Sequence, residues 1–360
     1  MTNAVETFDV GANHLYAEQS DLIEYLPEGY AERFTEFGQP LVGVRGLENA
    51  AGFEAICDSI GKETVARLLE DQTPAEIVRE RLFDHVDLAL LTGSKPFYAP
   101  SSIPNKDYGN ALCTAYNDYT IDEWLAVDER FRYTMTVNHQ DPSAAAEEIG
   151  RIGDHPQVVG VNLSPRSDKP FGNKEYDPIH EAAEQAGLVI TLRPTFGSAG
   201  VHGHPPTAGG YPTNSTEREV IQPAQVQAHI QSYVFEGAFE KFPGLRLAVI
   251  GWGWSWLPGY LWRIDSEWKN LHTEIPWVEQ PPSEYIRDHV RFDVQPVEEI
   301  ESGSYIETVY EWIDRADLLM YGSGFPEEAV TDPDGILTSL PHSDRRRILA
   351  DNAADLFSPA

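Results

Sequence analysis

Residues 158–193 read VVGVNLSPRSDKPFGNKEYDPIHEAAEQAGLVITLR. The two ends, Val158–Leu163 and Leu188–Arg193, are short apolar runs rich in β-branched residues, the pattern of strands covered on both faces. Between them, Tyr176–Ala186 (YDPIHEAAEQA) carries Pro in its first turn and is stopped by Gly187, the expected start and stop of a helix. Strand, helix and strand in one stretch predict a parallel βαβ unit. The alternation continues outward in both directions. Further strand-like runs are Phe8–Val10, Val86–Leu91, Phe131–Val137, Leu245–Ile250, Val290–Val294 and Leu318–Tyr321, and further helical patterns are Pro142–Gly150, Ala224–Phe242 and Ser343–Phe357. Eight βα units predict a (β/α)8 TIM barrel of α/β class, a single domain over residues 1–360 with no internal linker. Insertions follow the first strand (Ala12 to Thr73) and the fifth. The latter, Pro194–Gln222, is a long Gly/Pro/Thr-rich segment whose place after a barrel strand suggests a lid.

Composition narrows the partners. Of 360 residues, 58 are Asp or Glu and 26 are Lys or Arg, giving a formal charge of −32. Nucleic acid and anionic membranes would be repelled by such a chain. Only 7 of the basic residues are Lys, and this acidic, Lys-poor balance fits salt-adapted solubility as well as an ordinary acidic protein. Hydrophobic residues make up 41%, enough for a large core, which argues against a disordered acidic chain. Cys57 and Cys113 form no disulfide framework or metal-spacing motif and read as small buried hydrophobes of a reducing compartment. Met1–Val10 has neither a basic start nor an apolar core, and no signal peptide is expected. The most apolar stretch, Leu247–Trp262, is too short and too broken by Gly and Pro to span a bilayer. A soluble cytoplasmic protein acting on a small molecule is the expectation.

In such a barrel the carboxyl ends of the strands carry the site. Asn162, Arg193 and Asp293 are polar residues at those ends, and His139 follows the third strand. No nucleophile elbow or phosphate loop is present.

At this level of detail the chain resembles the amidohydrolase-related family, the branch of the amidohydrolase superfamily that includes aminocarboxymuconate-semialdehyde decarboxylase. The resemblance rests on VVGVNLSPRSDKPFGNKEYDP (Val158–Pro178), on YVFEGAFEKFPGLRLAVI (Tyr233–Ile250) leading into WSWLPGYLWRID (Trp254–Asp265), on PSEYIRDHVRFDVQP (Pro282–Pro296) and on DNAADLF (Asp351–Phe357), in that order. It implies a distorted TIM barrel with a mononuclear metal, commonly zinc, at the strand ends, and a homodimer. The implied ligand positions are mostly altered. The acidic or His position before His14 is Ala12, the His ending the fifth strand is Arg193, and the ligand after the sixth strand is Gly251. The terminal Ser-Asp-x-Pro-His run reads Ser323-Gly324-Phe325-Pro326-Glu327, so that Gly324 replaces the metal Asp and Glu327 the His.

Zinc needs three or four converging donors. One surviving His does not supply them, and a guanidinium has no lone pair to give. No cofactor is therefore expected, although zinc is the family's default. The alternative ligand set is His14 with His202, His204, Asp293 and Glu327, of which His202 and His204 (VHGHPP) lie two apart on the loop after the fifth strand. Without a metal, Arg193 at its place suits a substrate carboxylate or a developing oxyanion. His14 and Glu327 are the expected acid/base groups, and Asn162, Trp252, Asp293 and His139 the expected substrate contacts. The expected activity is hydrolysis or carbon–carbon lysis of a small carboxylate or aromatic acid. Two other readings compete with it: a catalytically inactive barrel, its site plugged by an Arg193–Glu327 ion pair, that serves as a ligand-binding or structural protein, and a metallohydrolase with unusual ligands.

Overall fold

The computed structural model describes residues 5–37, 52–94, 97, 99–165, 167–194, 212–295, 303–313, 315–330, 337 and 340–358. Eight strands form one sheet in sequence order: β1 (Phe8–Ala12), β2 (Leu88–Leu91), β3 (Phe131–Thr136), β4 (Val158–Leu163), β5 (Val189–Leu192), β6 (Leu247–Val249), β7 (Val290–Asp293) and β8 (Leu319–Met320). All seven neighbouring pairs are parallel. The Val10 N–H donates to the Tyr321 carbonyl at 2.9 Å, which brings the first strand against the last and rounds the sheet into a barrel. The expected TIM barrel is the fold observed.

Two apolar layers follow from side-chain alternation along the strands. Phe8, Val10, Leu90, Val189, Ala248, Ile250 and Met320 form an inner cluster with Ala353, Leu356 and Phe357 of the last helix, Asn352–Phe357. Phe357 meets Phe8 with ring centroids 6.0 Å apart, beneath the first residue of β1. The terminal helix therefore floors the barrel, each such ring contributing about 2 kcal/mol by burial. The opposite faces, including Leu91, Tyr133, Val161, Leu192, Val249 and Phe292, belong to an outer cluster shared with the surrounding helices.

The family-like motifs largely serve this framework. Asn352 of DNAADLF donates through Nδ2 to the Ala316 and Leu319 carbonyls, both at 2.7 Å, tying the terminal helix to β8. Asp265 of WRID accepts the backbone N–H and the hydroxyl of Ser283, at 2.9 and 2.7 Å, and so satisfies the start of helix Pro282–His289.

Three local expectations differ from the structure. The helix expected from Ala224 begins at Ser215 and runs to Phe235, with Pro223 inside it. Asn214 supplies the cap, accepting the Glu217 N–H at 3.0 Å, and packing of Val226, Ile230 and Tyr233 carries the helix through the proline. Residues 215–222 are thus helix rather than lid loop, and 195–211 lie outside the described residues. A separate turn of helix, Ala238–Lys241, follows Gly237 in a left-handed conformation. The closing helix is interrupted by a wide π-type turn, Arg347–Asp351. Both cysteines are buried and unpaired. No described helix is long and apolar enough to cross a membrane.

Candidate active site

The strand carboxyl ends assemble one polar cluster. Ile190 and Leu192 of β5 face the outer core and Val189 the inner one, so alternation turns the next residue, Arg193, into the barrel mouth. Its Nη1–H donates to the Thr92 hydroxyl, just beyond β2. Thr92 also accepts, through its carbonyl, the Asn162 Nδ2–H from β4 at 3.1 Å. Thr92 thereby holds both side chains. Two buried atoms of the cluster have no partner: the Nε–H of Arg193, a donor, and Oδ1 of Asn162, an acceptor.

Asp293 ends β7, only 2% exposed. Its Oδ1 accepts the Gly251 N–H at 2.8 Å. Burial lifts this carboxyl to about 8, and the nearby Asp9 and Glu328 carboxylates add to the rise, while the Gly251 N–H and the Arg193 charge oppose it. At neutral pH the group therefore carries a proton.

Gly251 links the two halves of the cluster. Its φ of 81° is left-handed, and a Cβ added there would lie 3.2 Å from Pro194 Cδ and 3.9 Å from Arg193 Nη2. The Pro194 ring is the tight contact, while the guanidinium lies at ordinary van der Waals distance. Gly251→Ala is expected to destabilise the fold by about 1–2 kcal/mol through the backbone conformation alone. The methyl would press on Pro194, the residue next to Arg193, and activity is expected to fall as well. Urea unfolding and a rate measurement on one preparation check both parts.

Asp9, inside β1, is a second fully buried carboxyl. It accepts the Gly11 and Ser323 N–H groups at 2.9 and 2.8 Å and the Ser323 hydroxyl at 2.6 Å. Burial raises its pKa, against those hydrogen bonds and the Arg193 charge. It latches β1 to the segment after β8, where Asn13 also donates to the Gly324 carbonyl at 3.0 Å. Sequence reasoning passed over Asp9, Thr92 and Ser323. The available signal was a lone carboxylate within an apolar strand, FDVGA.

The remaining expected site residues take other places. His14 is fully buried among Phe97, Trp124 and Tyr133, with centroids 4.4, 5.2 and 5.4 Å away. Its Nδ1 accepts the Gly93 N–H at 3.0 Å. Its Nε2 pairs with the Thr120 hydroxyl at 3.0 Å, and that hydroxyl donates to the Tyr116 carbonyl, so Nε2 carries the proton. Burial, with the Arg193 charge, pushes its pKa down to about 3. His14→Ala is expected to cost about 2–4 kcal/mol of stability by emptying an aromatic pocket and orphaning the Gly93 N–H. A urea midpoint unchanged from the parent would contradict this structural account of His14.

Glu327 does not pair with Arg193; it accepts the Ser94 hydroxyl at 3.5 Å. Among the described residues the guanidinium has Thr92 as its hydrogen-bond partner and no carboxylate in ion-pair contact. Trp252 is buried, its indole N–H donating to the Leu192 carbonyl at 2.9 Å. His139 stands edge-on to Phe171 and Tyr176. His202 and His204 lie outside the described residues. The structure thus brings Arg193, Asn162 and Asp293 together and sets His14, Trp252 and His139 into the packing around them.

A model of the amidohydrolase family matches residues 77–358. The chain belongs to the amidohydrolase family. Among its curated relatives, the gamma-resorcylate decarboxylase of Rhodococcus jostii (strain RHA1) is 26% identical over 335 residues, covering 86% of this chain and 94% of the relative. An amidohydrolase structure from Mycobacterium avium subsp. paratuberculosis K-10 superimposes with a TM-score of 0.72 at 18% identity, covering 99% of both chains. A dihydroxybenzoic acid decarboxylase from Polaromonas sp. JS666, determined with bound manganese and the inhibitor 2-nitroresorcinol, does so with a TM-score of 0.62 at 17% identity, covering 98% of this chain and 97% of that one. The resemblance read from the motifs is thereby established.

Among the described residues, the side chains at the barrel mouth do not fit a divalent cation. Among the described residues no three His, Cys, Asp or Glu side chains converge. Ala12, Gly251 and Gly324 offer no side-chain donor, His14 has both ring nitrogens engaged, and Asp293 stands beside a fixed guanidinium.

Proposed function

We propose that this amidohydrolase is a carbon–carbon lyase that decarboxylates an aromatic acid bearing a hydroxyl next to its carboxylate, with the Arg193 guanidinium in the place of the family's metal. The observation that carries this reading is the pairing of a buried, unpartnered Arg193 donor with a buried carboxyl that holds its proton at neutral pH. Arg193 binds the substrate carboxylate through Nε–H and its free Nη–H groups. Asn162 Oδ1 accepts the neighbouring phenolic O–H, which pushes electron density into the ring. Asp293 passes its proton to the ring carbon that bears the carboxylate. The bond from that carbon to the carboxylate then breaks, its electron pair restores the aromatic ring, and carbon dioxide leaves. A solvent proton returns Asp293 to its starting state. In total one proton and one carboxylate are consumed for each arene and carbon dioxide formed.

The decarboxylase relatives support the reaction class, and the burial of Asp293 supports its role as acid. The direct test is incubation with 2,6-dihydroxybenzoate and with 2-hydroxybenzoate, following loss of substrate absorbance and release of carbon dioxide. Turnover of either compound is expected. Saturable binding of both without release of carbon dioxide would overturn the lyase reading in favour of a ligand-binding barrel.

A further inference from the structure

Thr92 lies one residue beyond β2 and is buried. Its backbone N–H and its hydroxyl both reach the Ala12 carbonyl, at 2.9 and 3.1 Å. Ala12 ends β1 and is paired with Leu91 in the sheet, so the strand ladder fixes the place of that carbonyl. With its proton committed to Ala12, the Thr92 hydroxyl turns a lone pair to the Arg193 Nη1–H, which it accepts. The Thr92 carbonyl sets the second group. A carbonyl takes only the nitrogen of an amide, so Asn162 gives it Nδ2 and keeps Oδ1 as its unpartnered atom. The next peptide is held from the same strand end, the Gly93 N–H donating to His14 Nδ1 at 3.0 Å. Ala12 and His14 stand at two of the positions where the family resemblance implies metal ligands. In this chain one gives a backbone carbonyl and the other a ring nitrogen, and both go to the Thr92–Gly93 segment.

We infer, on the reading of Arg193 as the carboxylate-binding group, that Thr92 is the positioning residue of this site. The end of β1 holds Thr92, and Thr92 aims the guanidinium. An arginine side chain has many rotamers, and holding it in one of them costs entropy. A fixed hydroxyl at its tip meets that cost during folding rather than on binding, which raises affinity by preorganisation. Thr92 acts through its neighbours and needs no contact with the substrate. It leaves one unpartnered donor, Arg193 Nε–H, and one unpartnered acceptor, Asn162 Oδ1, on side chains hung from a single residue. A carboxylate with a hydroxyl beside it is complementary to that pair.

The test is calorimetric titration of the whole protein with 2,6-dihydroxybenzoate, paired with the side-chain Nε–H resonance of Arg193 in isotope-labelled protein. That resonance is identified by its absence from Arg193→Lys. Thr92→Val removes the hydroxyl from a side chain of nearly the same shape. It should weaken binding by about tenfold, as expected for one hydrogen bond to a charged group. The Arg193 resonance should move to the position of mobile, exposed arginines, and the melting temperature should stay within a few degrees of the parent. Thr92→Ser keeps the hydroxyl and should recover both the affinity and the resonance, which a purely steric role for Thr92 would not produce. Parent affinity or an unmoved resonance in Thr92→Val would overturn the inference, as would a Thr92→Ser protein that binds as weakly as Thr92→Val. Binding by the parent without release of carbon dioxide would fall on the lyase reading alone and leave the role of Thr92 in place. Absence of binding by the parent would overturn the role of Thr92 together with the reading of Arg193 on which it rests.

Discussion

Arg193→Ala is expected to lower kcat/KM for an ortho-hydroxybenzoate by about a hundredfold to ten-thousandfold, while the melting temperature stays within a few degrees of the parent. The size follows from what is removed. A guanidinium that meets a carboxylate in a water-poor mouth is worth about 3–5 kcal/mol when one partner is deleted, because the other charge is left buried and unpaired. The fold should survive, since Arg193 makes a hydrogen bond to Thr92 and no ion pair among the described residues. Arg193→Lys sharpens the result. Lys keeps the charge but loses the planar fork, so a bidentate grip predicts a large residual defect, mostly in KM. Steady-state kinetics on the three proteins decide the point, and full activity in either variant would remove Arg193 from the mechanism.

Asp293→Asn is the second large effect. Loss of the proton donor should reduce kcat by about a hundredfold to ten-thousandfold, the usual contribution of a positioned acid. The parent enzyme should show a matching pH dependence. The protonated carboxyl is the active form, and its pKa stands raised to about 8 from an ordinary value of 3.8. Activity should therefore hold below pH 7 and fall as pH rises through about 8. Stability follows the same sign. The folded protein binds this proton more tightly than the unfolded chain, so the group's contribution is present in full below about pH 4 and is lost as pH rises through about 8. Asn cannot titrate, and the variant should lose less stability than the parent between pH 5 and 9, read from melting temperatures across that range. A parent activity that rises through pH 8 would contradict Asp293 as the acid.

The barrel was legible because its strands are short and apolar on both faces, and because Pro and Gly punctuate the helices between them. Arg193 was legible for the same reason: a charged residue directly after LVITL has to emerge at a strand end. His14 stands where a ligand belongs in the family, but three aromatic rings from distant segments, Phe97, Trp124 and Tyr133, enclose it, and only tertiary packing discloses that. Asp9 is the converse case. Its significance lies in Ser323, more than 300 residues away, whose N–H and hydroxyl it accepts. Gly251 reads as a missing ligand, while in the fold its left-handed φ and the closeness of the Pro194 ring call for glycine there. The start of helix Ser215–Phe235 was hidden by Pro223, which local rules place at a helix's first turn and tertiary packing places inside one.

We propose that a fixed organic cation, the Arg193 guanidinium, has taken the place of the family's metal at this barrel mouth. Elemental analysis of the purified protein, before and after dialysis against a chelator and with activity followed on the same samples, tests it most directly. Far less than one equivalent of manganese, zinc or iron is expected, with a rate that neither falls with chelation nor rises on adding manganese. One tightly held equivalent of a divalent metal, lost together with activity and restored with it, would rule out the replacement of the metal by Arg193.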